Sequence, residues 1–122
     1  MIKGLGNDII EIDRVKRLVD LYGNRFLDRI FTLREQEYCK KYQEFARHYA
    51  GRFAAKEAIV KALGFGFSPG ISFLDIEIIN GPSGKPEVYF SERINQRFNN
   101  PQVDISISHC KNFATAVAIY SE

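Results

Sequence analysis

The sequence of 122 residues has two cysteines, Cys39 and Cys110. Two are too few for a disulfide framework, and they have no metal-ligand spacing, so both read as free thiols. No apolar run approaches the roughly 18 residues needed to span a bilayer. The opening stretch, Met1 to Asp8, meets a lysine and an aspartate before any apolar core forms. That is not a signal-peptide pattern, and it points to the cytoplasm. The formal charge of +2 is too small to argue for nucleic acid. It leaves room for a local basic patch facing an acidic partner. There is no internal repeat, low-complexity segment or linker. With 45% hydrophobic and 26% charged residues, the chain has the balance of one globular domain over residues 1–122.

The pattern along the chain predicts an α+β domain. Residues 2–12 alternate loosely and are rich in isoleucine, so they read as a strand, with Gly4 and Gly6 allowing close backbone approach. Asp13 is placed to cap a helix over about 14–22, with Val15, Leu18, Val19 and Tyr22 as its apolar stripe and Gly23 as its stop. A short amphipathic piece carries Phe26, Leu27, Ile30 and Phe31. Thr32-Leu33-Arg34-Glu35 is a capping box, so a helix should begin at Leu33. A long helix is expected from about Glu44 to Leu63, stopped by Gly64. Phe65 to Gly70 reads as a loop.

Residues 72–79 then alternate, with Leu74, Ile76 and Ile78 on one face and Asp75 and Glu77 on the other. A turn over 80–86 leads to a returning strand, Glu87 to Phe90. Ser91 can cap a short helix through about Phe98. Val103, Ile105 and Ile107 line one face of the next strand, and Cys110-Lys111-Asn112 turns into a last one over 113–120. Helices cluster early and antiparallel strands late, which argues for a long helix packed on a mainly antiparallel sheet.

Three short segments carry the chemistry. Glu57 falls about 40° from Phe53 and about 60° from Val60 on a helical wheel. A carboxylate so close to an apolar face must find a partner, and Lys61 follows one turn later. A structural Glu-Lys ion pair is the plainer reading of that spacing. Arg52, Lys56 and Lys61 supply cations around Glu57, a set suited to phosphates or to a solvated basic face. Asp8 interrupts an apolar strand near its start, where it could hold a hard cation or simply be exposed. His109 ends an alternating strand before a turn, where it could donate to a phosphate or merely mark the end of burial. Together these form a coherent set. Magnesium takes oxygen ligands and keeps waters and phosphate oxygens in its shell. Two carboxylates plus a diphosphate would complete one. The chain has no P-loop and no G-x-S-x-G elbow, so the set fits phosphoryl-type transfer better than acyl transfer or redox chemistry.

Gly4-Leu5-Gly6-Asn7-Asp8-Ile9-Ile10-Glu11-Ile12 with Arg14, Gly51-Arg52-Phe53-Ala54-Ala55-Lys56-Glu57-Ala58 with Lys61-Ala62-Leu63-Gly64, and Ser106-Ile107-Ser108-His109 resemble, in that order, the bacterial holo-[acyl-carrier-protein] synthases. These are the small 4′-phosphopantetheinyl transferases, and the resemblance covers essentially the whole chain. It implies that coenzyme A donates its phosphopantetheine arm to a serine of an acyl carrier protein, releasing adenosine 3′,5′-bisphosphate. It implies Asp8 and Glu57 as Mg2+ ligands and Lys61 beside the transferred phosphate. It also implies His109 on the coenzyme A phosphates, Arg52 on the 3′-phosphate, and Gly64 with the following loop along the nucleotide. A homotrimer with sites at subunit interfaces is implied too, as is an acidic carrier meeting Arg14, Arg17 and Arg25. Larger relatives carry D-x-E at the strand site. Here Ile10 stands in the third position, and Glu11 points to the other face of the strand.

The serine needs a base. Carboxylates and phosphates nearby favour a charged lysine, so Lys61 is read as a cation stabilising the transition state, with Glu57 or a water in the magnesium shell as base. Two further readings are a catalytically silent carrier-protein or nucleotide-binding module and a magnesium-dependent diphosphate hydrolase. The intact set Asp8, Glu57 and Lys61 argues against the silent module, and turnover of coenzyme A without carrier would mark the hydrolase.

Overall fold

The computed structural model describes residues 1–64 and 71–122. Strand β1 (Ile2–Glu11) leads into α1 (Ile12–Tyr22), α2 (Asn24–Ile30), α3 (Leu33–Lys40) and the long α4 (Phe45–Leu63). A 3-10 turn over Phe73–Asp75 then opens β2 (Ile76–Asn80), followed by β3 (Pro86–Phe90), α5 (Glu92–Phe98), β4 (Gln102–His109) and β5 (Phe113–Ser121). β5 lies between β1 and β4 in a three-stranded antiparallel sheet, and β2 pairs with β3 in a separate hairpin. The fold is thus α+β. No described helix is long and apolar enough to cross a membrane.

α4 is the core of the molecule because small residues let it lie close to the sheet. Ala50, Ala54, Ala55, Ala58, Ile59 and Ala62 are buried on it, and Ala114, Ala116 and Ala118 are buried on β5, against which it packs. Gly4 and Gly6 bring β1 against α4 so tightly that a Cβ at either would strike a helix carbonyl oxygen, Ala62 O or Ala58 O. Only glycine allows that approach. At the other end of the crossing Gly51 sits over Ile107 of β4. Gly64, with φ 84, closes α4 in the left-handed conformation its residue type predicts.

The box at Thr32 forms as expected: Thr32 Oγ1 accepts from Glu35 N–H and the Glu35 side chain accepts from Thr32 N–H. Three local expectations change. α1 begins at Ile12 with Glu11 at its N-cap and no side-chain cap, so Asp13 lies in the first turn, where its charge favours the helix dipole. The segment before β2 is a 3-10 turn because Ser72 and Asp75 form a capping box of their own. Asp75 is therefore buried and Leu74 exposed, the reverse of the alternating pattern. Tyr22 is exposed rather than buried in the α1 stripe.

Candidate active site

Asp8 lies on the inner face of β1, opposite Ala116. Thr115 Oγ1 donates to its carbonyl oxygen at 2.8 Å and fixes the strand there. α4 crosses this strand, and its last turns bring Glu57 and Lys61 to the same place. Lys61 Nζ donates to Asp8 Oδ1 at 3.2 Å and to Asn7 O at 3.0 Å. The lysine thus pairs with Asp8 rather than closing on Glu57 one turn away. Glu57 is half-buried, and its carboxyl is raised above its ordinary range, first by burial and then by the Asp8 carboxylate, with Lys61 pulling back. Two carboxylates and an ammonium therefore share one spot. Among the described residues no cluster of three or more His, Cys, Asp or Glu side chains could hold a metal. A two-carboxylate site suits Mg2+, which fills its shell with waters and phosphate oxygens. Ile10, two residues after Asp8, turns into the core on the same face, while Glu11 is exposed on the other.

Arg52 stands five residues before Glu57, about 140° round the helix. It faces the opposite flank of α4. Its guanidinium carbon lies 4.2 Å from the Tyr38 ring centroid, and Nη2 donates to Asn80 Oδ1 at 2.6 Å. A cavity of about 230 Å³ opens there, lined by Arg52, Arg47, His48, Asn80 and His109 among others. His48 stacks on Tyr42, ring centroids 3.9 Å apart. Burial pushes the His48 imidazole down, and Arg52, His109 and Arg47 push it further. The cavity is electropositive.

The cations expected around Glu57 therefore separate. Lys61 stays with it and Arg52 serves the other flank. Lys56 points inward, fully buried, and pairs with Glu35 at 2.7 Å. It is removed from the site because one residue along a helix is a turn of about 100°. His109 reaches the Arg52 cavity and not the Asp8 cluster. The residues from Phe65 to Gly70, expected along the nucleotide, lie outside the described residues. Arg47, His48, Tyr38 and Asn80 were missed by sequence reasoning. His48 had a signal, since it stands one turn before Arg52 on the same helix. Tyr38 and Asn80 had none, being brought in from α3 and β2.

Arg14 and Arg17 are exposed on α1, and Arg25 on α2. Arg25 lines a groove of about 580 Å³ with Leu18, Tyr22, Phe26, Arg29 and Ile30. Arg14 falls in the helical row of Leu18 and Tyr22. The result is an apolar trough edged by arginines.

The family model of the 4′-phosphopantetheinyl transferase superfamily matches residues 4–118. A holo-[acyl-carrier-protein] synthase of Protochlamydia amoebophila is 56% identical over 121 residues, 99% of each chain. Among solved structures, the Helicobacter pylori holo-[acyl-carrier-protein] synthase in complex with coenzyme A is 37% identical with a TM-score of 0.87, over 96% of this chain and 99% of that one. The Bacillus anthracis synthase in complex with CoA (3′,5′-ADP) is 40% identical with a TM-score of 0.83, over 98% and 96%. Near-complete coverage at these identities, together with the paired carboxylates of Asp8 and Glu57, leads to one conclusion: the chain belongs to the 4′-phosphopantetheinyl transferase superfamily, among its holo-[acyl-carrier-protein] synthases.

Proposed function

We propose that this chain transfers the 4′-phosphopantetheine arm of coenzyme A to a serine of apo-acyl carrier protein, releasing adenosine 3′,5′-bisphosphate. The convergence of Asp8, Glu57 and Lys61 where α4 crosses β1 carries this reading. Asp8 and Glu57 are the side chains to hold Mg2+. Held by these two carboxylates, Mg2+ would supply charge neutralisation at the diphosphate and at the leaving oxygen. Lys61 offers its ammonium to the phosphoryl group as charge builds on it. The serine Oγ bonds to phosphorus as the anhydride P–O bond breaks. Glu57, the carboxylate of the site that is not paired with Lys61, takes the hydroxyl proton.

Arg52 and His109 are assigned to the 3′-phosphate of the donor, with Gly64 beside the nucleotide. Arg52 and Glu57 face opposite flanks of α4, so a donor meeting both is best accommodated between two copies of the chain. The outer face of the three-stranded sheet supports such an assembly. Leu5 and Ile9 are 66% and 65% exposed there beside Val117 and Phe113, and Leu5 stands opposite Ile119. An antiparallel sheet that ends in water normally shows polar residues on that side. We assign the face to a homotrimer. The arginine-edged trough of α1 and α2, with Arg14, Arg17 and Arg25, is assigned to the acidic carrier. Two free thiols suit the reducing cytoplasm as the compartment.

The test is the intact mass of apo-acyl carrier protein after incubation with this protein, coenzyme A and Mg2+, beside an EDTA control. A gain of one phosphopantetheine arm, lost with EDTA, is expected. Coenzyme A bound without transfer would instead indicate a silent binding module, and coenzyme A consumed without carrier a hydrolase.

A further inference from the structure

Arg52 is held more firmly than packing alone requires. Asn80, the last residue of β2, accepts from Arg52 Nη2 through Oδ1 at 2.6 Å and donates from Nδ2 to Gly84 O at 2.8 Å. The turn behind it is closed by Gly81 N–H to Lys85 O and Gly84 N–H to Gly81 O, both 2.9 Å. Tyr38 covers one face of the guanidinium. The group is thus fixed at one edge and on one face. Arg52 is only 4% exposed, yet its Nε is buried and has no hydrogen-bond partner. A buried cationic N–H without an acceptor is costly, and such orphans are rare. Nε is out of reach of the adjoining cavity, but the cavity itself is lined by Arg52, Arg47, His48 and His109, a set of donors that suits an anion.

We infer that Asn80 is a positioning residue. With Tyr38 it aims Arg52 at the terminal 3′-phosphate of the donor and so sets the preference for 3′-phosphorylated over dephosphorylated donors. This rests on the transfer reaction proposed above. The residue type fits the role. An amide oxygen orients a guanidinium without neutralising it, whereas a carboxylate at the same place would pair with it and compete with the phosphate.

The experiment compares transfer from coenzyme A and from 3′-dephospho-coenzyme A by wild type, Asn80→Ala, Asn80→Asp and Arg52→Ala. Turnover of the dephosphorylated donor reports on folding and on the Asp8 site within each variant. Asn80→Ala should shrink the preference for coenzyme A about tenfold, through KM rather than kcat, as expected for loss of a charge-assisted contact. Asn80→Asp should shrink it further. Transfer from the dephosphorylated donor should fall far less than transfer from coenzyme A. Equal losses on both donors in the Asn80 variants, with Arg52→Ala still selective against coenzyme A, would leave Asn80 a hairpin residue and overturn the inference alone. An unchanged donor ratio in Arg52→Ala would overturn it too, by removing the cavity's assignment to the 3′-phosphate. Absence of transfer by wild type from either donor would remove the reaction itself.

Discussion

Lys56 Nζ and Glu35 Oε1 meet at 2.7 Å with both side chains wholly buried. Lys56 also donates to Ile30 O at 2.7 Å and Phe73 O at 3.1 Å, which uses all three of its N–H groups. Glu35 accepts from Thr32 N–H at 2.9 Å and from Ile78 N–H at 2.8 Å. The pair joins α4 to the end of α2, the cap of α3, the 3-10 turn and β2. Removing one partner strands the other charge. Glu35→Ala or Lys56→Met should each cost about 3–5 kcal/mol, read as a lower urea midpoint. The double variant Glu35→Leu/Lys56→Met should be less unstable than the two losses added. Strict additivity would show that the pair does not act as a unit.

Lys61 is expected to act as a cation. Lys61→Ala should lower kcat by about a hundredfold, the scale of losing one donor to developing charge. The pH-rate profile should keep its basic limb while its maximum falls. Loss of the basic limb would make Lys61 the base instead.

The arginine-edged trough should govern the carrier and spare the donor. Arg14→Glu is expected to raise KM for acyl carrier protein about tenfold at low salt, with the effect shrinking as salt rises. KM for coenzyme A should not move. An unchanged carrier KM would take Arg14 out of the contact.

The apolar sheet face should hold copies together. Val117→Glu places a charge among Leu5, Ile9 and Ile119 at an exposed position, so the fold should survive. Light scattering should show a mass below that of the wild type, with transfer lost in parallel. A mass of one chain in the wild type, or no change in the variant, would reject this interface.

The two thiols should differ sharply. Burial pushes Cys39 up to about 12. Cys110 is exposed, and the backbone N–H groups of Asn112 and Phe113 lower it. A lower pKa means more thiolate at neutral pH, so alkylation of Cys110 should reach its plateau below the usual thiol range. Native protein should take one iodoacetamide adduct by mass, and a second only after unfolding. Two adducts at equal rates in the native state would contradict the burial of Cys39.

What the sequence by itself determined is local. The Thr32–Glu35 box, the stop at Gly64 and the face shared by Val103, Ile105 and Ile107 depend on neighbours a few residues away, and their patterns are legible. Where two local signals compete, the pattern can mislead: at Ser72–Asp75 a capping box prevailed over alternation because it satisfies backbone N–H groups directly. The site residues Asp8, Glu57 and Lys61 could be named from residue type and family resemblance. Their meeting was decided by tertiary structure, since only the bare backbone of Gly4 and Gly6 lets α4 come down on β1. The same packing decided the fates of three similar cations on one helix. The rotation between them sends Lys61 to Asp8, Lys56 into the core and Arg52 to Asn80. No spacing rule fixes such destinations, because each is set by which distant element lies against that side of the helix.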